Sequence, residues 1–335
     1  MLTILCIVQT PVPSTEISIT RPFSYLERNQ AIAWQLIKEA QFKPEQLQGV
    51  DIVVFHRNCH PSAVPILNAV KGAGIPVIYE LDDNFFDLPV ELPIGRYMRN
   101  PYIVRTIETL LRAADWVKIG SPELRPLLSR HNQRLVYQPF AVDLSILDGL
   151  PPQANAILTI GYAGTIHHTV DFRLILNSIK RIAKEYPQVR WEFIGCLPEG
   201  LSDLPNFGHT PFIPSYAHFL QDLYKRNWRI GLGPLLDLPH NRCKTDNKLR
   251  EYGACRIAGI YSNIPPYSAN VRHRETGWLA ENTEQAWYQA LKTLLDDESL
   301  RAKIGEMARH WVEEERSIPV VAKLWMDLFQ QTRKK

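Results

Sequence analysis

The stretch Thr159-Ile160-Gly161-Tyr162-Ala163-Gly164-Thr165-Ile166-His167-His168-Thr169-Val170-Asp171 decides how the chain is read. It begins inside a short apolar run, Ala156–Tyr162, which reads as a strand. It turns on Gly161-Tyr162-Ala163-Gly164-Thr165 and enters Val170–Tyr186, where Leu174, Ile175, Ile179, Ile182, Ala183 and Tyr186 recur along one helical face. Strand, glycine turn and helix form the opening unit of a wound α/β sheet. The N–H groups of such a turn, with the helix start near Thr169 or Asp171 beyond it, can hold a phosphate. A plain tight turn is the alternative.

The alternation continues on both sides. Downstream, Val189–Ile194, Trp228–Leu232 and Arg256–Tyr261 read as strands. Tyr216–Lys225, Thr245–Ala254, Thr283–Leu295 and Ser299–Glu315 read as helices, with a last one after Pro319. Upstream, the strands are Leu2–Val8, Asp51–Phe55, Pro76–Leu81, Trp116–Ile119 and Leu135–Tyr137. The helices are Phe23–Ala40, Pro61–Gly72, Pro101–Ala113 and Pro122–Ser129, three of them opened by a proline that suits the first helical turn. Short strands alternating with such helices predict parallel sheets covered on both faces and joined right-handedly. The pattern pauses at Asp143–Asn155, where Gly149, Pro151 and Pro152 mark a linker. The fold class expected is α/β: two doubly wound, Rossmann-like domains, 1–150 and 151–317, followed by a helical segment, 318–335. The two domains are expected to face a cleft at the carboxyl ends of their strands.

A chain of 335 residues can bury two full cores, and 22% charged with 45% hydrophobic residues excludes a disordered chain. The formal net charge is +3 with both signs interspersed, and the absence of a basic stripe argues against a nucleic-acid partner. Five cysteines (Cys6, Cys59, Cys196, Cys243, Cys255) without a CxxC pair point to a reducing compartment rather than a disulfide framework. Leu2–Val8 is too short for a signal peptide, no Lys or Arg precedes it, and Pro11 and Pro13 follow at once. No stretch approaches the roughly 18 apolar residues of a membrane span. A cytoplasmic protein is expected. The terminal Arg333-Lys334-Lys335 reads as a solvated tail, with peripheral contact to an anionic inner membrane face as its alternative.

The residue patterns narrow the chemistry. Gln9-Thr10-Pro11-Val12-Pro13-Ser14 follows the first strand without the glycines a dinucleotide turn needs, and no P-loop is present. The segment Asn241-Arg242-Cys243-Lys244-Thr245-Asp246-Asn247-Lys248-Leu249-Arg250-Glu251-Tyr252 carries more. At about 3.6 residues per turn, Lys248 and Glu251 share a helix face, and Lys244 joins them if the helix reaches back that far. Two cations suit a diphosphate, and a carboxylate suits ribose hydroxyls; a solvated face of Lys–Glu pairs is the alternative. Asp82 and Asp83 end the strand Pro76–Leu81, where one of them can act as a base or orient a hydroxyl, or simply cap a turn. His167 and His168 stand either as phosphate contacts or as ordinary loop histidines. His56-Arg57-Asn58-Cys59-His60 reads as a loop with incidental ligands rather than a zinc site, since no distant partner pair is evident.

The chain resembles GT-B-fold glycosyltransferases of glycosyltransferase family 4, also called glycosyltransferases group 1. The resemblance rests on Ile160–Asp171, on Trp191-Glu192-Phe193-Ile194-Gly195, and on Gly231–Leu235 leading into Lys244–Tyr252. It continues in Tyr261–Tyr267 and Glu275–Leu279, and reaches the first half mainly through Tyr79–Pro89. It implies retaining transfer of a sugar from a nucleotide-sugar donor, a UDP- or GDP-sugar, to a glycan, lipid-linked or protein acceptor in polysaccharide biosynthesis. The donor would be bound by the second domain, through Gly164, Thr165, His168, Lys244, Lys248, Glu251 and Tyr252. The acceptor would be held by the first, with Asp82 or Asp83 near the catalytic position. The final helix would pack back on the first domain. No cofactor or metal is implied, since basic side chains and helix ends can stabilise a leaving diphosphate. The family's two-glutamate signature has its first glutamate where Cys243 stands, and Arg256 and Ala258 replace a glycine and a proline that commonly follow the second. A non-catalytic nucleotide-sugar or glycan-binding module and a sugar-nucleotide epimerase are the other readings.

Overall fold

A computed structural model describes residues 1–90, 93–151 and 157–333. The chain forms two compact units: Met1–Ala141 with Cys243–Thr245 and the segment from Ile318, and Val142–Arg242 with Asp246–Ser317.

The first unit is built on six parallel strands: β1 (Leu2–Val8), β2 (Ile32–Lys38), β3 (Ile52–His56), β4 (Val77–Leu81), β5 (Trp116–Ile119) and β6 (Leu135–Tyr137). Their order is β2-β1-β3-β4-β5-β6, so the winding reverses between β1 and β3. Helices α1 (Arg21–Arg28), α2 (Ala63–Gly72) and α3 (Pro101–Ala113) cover the sheet. One face packs Val53, Phe55 and Tyr79 with Leu67, Ile107 and Leu110. The other packs Ile4, Val54 and Ile78 with Phe23, Trp325 and Phe329.

The helix expected over Phe23–Ala40 is corrected by β2. After Arg28 the chain closes a Schellman motif: Gln30 takes φ 55°, Gln30 N–H donates to Glu27 O at 2.8 Å, and Ala31 N–H donates to Leu26 O at 2.9 Å. From Ile32 the chain pairs residue for residue with β1. Its side chains then alternate between faces, Ile32, Trp34 and Leu36 on one and Ile37 on the other.

The second unit also holds six parallel strands: β7 (Thr159–Gly164), β8 (Arg190–Gly195), β9 (Phe207–Thr210), β10 (Ile230–Gly233), β11 (Ala258–Ser262) and β12 (Trp278–Ala280). The order β12-β11-β10-β7-β8-β9 is that of a dinucleotide-type doubly wound sheet, with its reversal between β7 and β10. Its helices are α4 (Leu176–Glu185), α5 (Tyr216–Arg226), α6 (Asn247–Ala254), α7 (Glu284–Asp296) and α8 (Glu298–Glu315). Thr283 and Asp297 cap α7 and α8 by accepting from Ala286 N and Leu300 N. The last helix, α9 (Ile318–Arg333), belongs to the first unit. There Trp325 and Phe329 meet Phe23 with ring centroids 5.0 and 5.4 Å apart.

Several expected boundaries move. Val170–Tyr186 is not one helix but a 3-10 stretch, Ile166–Leu174, followed by α4. Arg256 and Ile257 end α6 in a second Schellman motif, with Arg256 at φ 56°, so β11 starts only at Ala258. β9 and β12 are short strands that the apolar pattern does not announce. The expected linker contains a 3-10 turn at Leu144–Leu147; its residues 152–155, the strand start at Ala156, and Lys334 and Lys335 of the basic tail lie outside the described residues.

Candidate functional site

In an open wound sheet, ligands sit at the carboxyl ends of the strands where the winding reverses. In the second unit that point lies between β7 and β10, and the sequence there is shaped for close packing. Gly161 and Gly231 pair across the two strands. A Cβ at Gly161 would lie 2.0 Å from the Trp228 ring, and one at Gly231 would lie 2.6 Å from the Tyr252 ring. Gly161 and Gly164 are therefore strand residues, correcting the expected glycine turn; the turn begins at Thr165. Gly164 is half-buried beside the Tyr162 hydroxyl and Thr165 is exposed.

Tyr252 is fully buried and works between the strands. Its hydroxyl donates to Leu232 O at 2.9 Å and accepts from Ala163 N at 3.4 Å, tying β10 to β7 at the reversal. Tyr252 thus braces the floor of the region.

Lys248 and Glu251 do share a face of α6. The Lys248 ammonium lies 4.8 Å from the centroid of the Tyr162 ring. Glu251 is half-buried, and among the described residues none donates a hydrogen bond to its carboxylate. Burial pushes its pKa up, Arg250 and Lys248 pull it back and Asp246 adds to the rise, leaving it at about 7. Lys244 does not join this stripe. The helix starts at Asn247, and Cys243–Thr245 is grouped with the first unit. Cys243 is buried in that unit's core, its Sγ 3.7 Å from Glu123 O. The start of α6 is pinned instead by Asp246, which accepts from Arg250 Nε at 3.0 Å and from Arg316 Nε at 3.2 Å.

Asp171, read from sequence only as a helix start, is the residue that joins the two loops at the reversal. It is buried, and Oδ2 lies 2.9 Å from His168 Nδ1. Oδ1 accepts from Leu236 N at 2.9 Å and from Asn241 Nδ2 at 3.2 Å. His168 is thereby held by a fixed carboxylate. No local pattern signals this, because Leu236 and Asn241 are brought in from the loop after β10.

In the first unit, Asp82 is buried at the end of β4 and accepts from the Arg57 guanidinium, which also lies 4.9 Å from the Phe85 ring centroid. Asp83 is half-buried and accepts from Asn84 N at 2.9 Å, a local turn contact. Asp82 is thus an ion-paired carboxylate, whereas Asp83 does the capping work of a turn.

The sequence reading missed a buried charged row beside it. His56, Glu80 and Lys118 are register neighbours across β3, β4 and β5. Glu80 accepts from Lys118 Nζ at 2.5 Å and from the Ser18 hydroxyl, and lies 2.7 Å from His56 Nδ1. Burial pushes the Glu80 pKa up, but the charges and hydrogen bonds of Lys118 and His56 outweigh it and keep the carboxyl well below the usual range. Three polar residues near the carboxyl ends of otherwise apolar strands were the available signal.

No protein-family model matches the chain, and no curated protein matches it by sequence. Solved structures match over essentially the whole length. A glycosyltransferase from Rickettsia africae superposes with a TM-score of 0.72 at 13% identity, covering 100% of this chain and 99% of that one. Anabaena HepE in complex with UDP-glucose gives 0.70 at 13% identity, covering 99% and 100%. A provisionally assigned UDP-N-acetylglucosamine 2-epimerase from Listeria monocytogenes gives 0.63 at 9% identity, covering 100% and 97%. The chain has the GT-B fold of two Rossmann-like α/β domains. Among the described residues no helix is long and apolar enough to cross a membrane.

Proposed function

We propose that the chain is a retaining, nucleotide-sugar-dependent glycosyltransferase related to glycosyltransferase family 4. The observation that carries this reading is the pairing of a buried Lys248 and a half-buried Glu251 on α6 beside the β7–β10 reversal of the second unit, a cation and a carboxylate on one helix face where a wound sheet takes its ligands. Lys248, His168 and the chain at Gly164 and Thr165 bind the diphosphate of a UDP- or GDP-sugar, and Glu251 accepts the ribose hydroxyls. Side chains rather than a metal ion meet the charge of the leaving diphosphate. Lys244 and Tyr252 have no ligand contact in this reading. The first unit holds the acceptor, a glycan, lipid-linked or protein hydroxyl, with the Arg57–Asp82 pair orienting it. The reaction belongs to cytoplasmic polysaccharide assembly, with peripheral contact at the inner membrane face where the acceptor is lipid-linked. A protein of the same fold described as a glycosyltransferase, and another of that fold solved in complex with UDP-glucose, support the reading.

A second reading, a non-catalytic nucleotide-sugar-binding module, is favoured by one observation: the first signature glutamate is Cys243, and its side chain is spent on a hydrophobic core. Mass spectrometry separates the two. The protein is incubated with UDP- and GDP-sugars, with and without mixed glycan acceptors. Transfer or slow donor hydrolysis supports the transferase, and binding without consumption of any donor supports the binding module. An isomerised donor would point to a sugar-nucleotide epimerase instead. Lys248→Ala is expected to weaken donor affinity at least tenfold, about 1.4 kcal/mol; unchanged affinity would remove Lys248 from the phosphate site.

A further inference from the structure

The segment leaving β7 carries histidine and arginine as its basic residues. Between Gly164 and Leu174 they are His167, His168 and Arg173, with no lysine. His168 reaches solvent with 17% of its side chain, while the Asp171 carboxylate that holds its Nδ1 is only 2% exposed. Asp171 cannot swing away, because Leu236 N and Asn241 Nδ2 hold its second oxygen.

Burial pushes the Asp171 pKa up, but His168, the Leu236 amide and the Lys248 charge outweigh burial and keep the carboxyl below its ordinary value. Among the described residues, the titratable groups electrostatically coupled to Asp171 include Lys248 from α6, Cys196 after β8, Tyr162 on β7 and Tyr267 after β11. Burial raises both tyrosines and the cysteine, Cys196 to about 11, so none of these three carries charge near neutrality. The charged groups set against the imidazole are thus the Asp171 carboxylate, which it touches, and the Lys248 ammonium, whose charge acts on that carboxylate. With His168 neutral, the imidazole–carboxylate pair bears a net negative charge and repels an arriving diphosphate. With His168 protonated, the pair is neutral overall and offers the ligand an N–H donor.

We propose that His168 takes up a proton when a nucleoside-diphosphate sugar binds, and that Asp171 is the positioning residue that fixes the imidazole by accepting its Nδ1–H. The proposal rests on the reading of the second unit as the donor site. The proton comes from solvent and no bond of the donor is broken. Binding raises the His168 pKa, so affinity is greatest below the free-state pKa and is lost as pH rises through the bound-state pKa, by at most tenfold per pH unit for one proton. Glu251 works in the opposite sense, since accepting ribose hydroxyls favours its ionised form. The His168 contribution is therefore read as a difference between variants.

The test is calorimetric titration of the full chain with UDP-glucose and GDP-mannose at about pH 6, 7 and 8, in buffers of different ionisation enthalpy. These diphosphate diesters have no phosphate group that titrates near neutrality. The wild type is expected to take up at least about half a proton more than His168→Gln near pH 7, and His168→Gln to lose the steepest part of the affinity's fall with pH. Asp171→Asn keeps an acceptor for Leu236 N but lacks the charge. It is expected to bind about tenfold more weakly near pH 7 and to lose its affinity at lower pH than the wild type. Should Asp171→Asn fail to fold, His168→Gln, altered at a partly exposed side chain, carries the test alone. Equal proton counts in wild type and His168→Gln, with both binding, would overturn the proposal. If neither nucleotide sugar binds the wild type at any pH, the donor-site reading itself falls.

Discussion

Glu251 shows how far a residue's behaviour follows from its spacing. Its place three residues after Lys248 was legible, because i and i+3 share a helix face. Its protonation was not, because that depends on burial and on a lack of donors that only the folded site defines. The folded-state pKa of about 7 lies above the ordinary 4.5. A raised carboxyl pKa stabilises the fold fully below the unfolded value and loses that contribution as pH rises through the folded one. Glu251→Gln is therefore expected to leave stability unchanged near pH 4 and to raise it above pH 7. A gain of roughly 1–3 kcal/mol is expected, toward the lower end because the half-buried carboxyl is partly screened. Thermal melts of both proteins at about pH 4 and pH 8.5 check this; an equal difference at both would show that the carboxyl is not held in its protonated form. Asp171 marks the opposite limit. Its partners at Leu236 and Asn241 are distant in sequence, so the carboxylate that organises the site was invisible in its own neighbourhood.

At the scale of elements, the strands with continuous apolar runs were legible and those with mixed faces were not. The segment Ile32–Lys38 has a polar Gln35 and reads equally as helix or strand. The stop before it hinges on Gln30, which takes the left-handed conformation that a glycine or asparagine would have announced. The same substitution hides the end of α6 at Arg256. In the other direction, Gly161, which looked like part of a phosphate turn, is there for packing. Gly161 lies under Trp228, which is buried and whose indole N–H donates to Glu192 at 2.8 Å. Gly161→Ala would drive the ring off this seat or the strand off its neighbour. A loss of about 1–3 kcal/mol, typical of overpacking, is expected in urea unfolding. A loss below a few tenths would mean that Trp228 has room to shift, and that the β7–β10 reversal is less tightly built than the close approach implies.

For the whole molecule, alternation predicted two wound sheets, but their strand orders are set by which edge each returning strand finds, and no local pattern encodes that choice. The two units reverse at different points, β1–β3 and β7–β10, so the same alternating pattern yields two different sheets. The helix α9 makes a related point: it follows the second sheet in the sequence, yet it packs on a face of the first. Trp325 is fully buried, its indole N–H donates to Ser18 O at 2.8 Å, and its ring lies 5.1 Å from the Lys118 ammonium. Ser18 and Lys118 in turn hold Glu80. Trp325→Ala therefore opens a cavity against Phe23 and Phe329 and loosens the cover over a buried charge, at a cost of about 3–5 kcal/mol. The loss should fall on the first unit, since the α9 side chains Ile318, Val321, Ala322, Trp325, Leu328 and Phe329 are buried in its core. Limited proteolysis of the variant should cut within 1–141 at temperatures where 157–317 stays intact, and calorimetry should resolve an early transition absent from the wild type. If both segments become sensitive together and one transition shifts as a whole, the two units unfold as a single cooperative body, and the stability of the candidate donor site depends on a tryptophan in the other core.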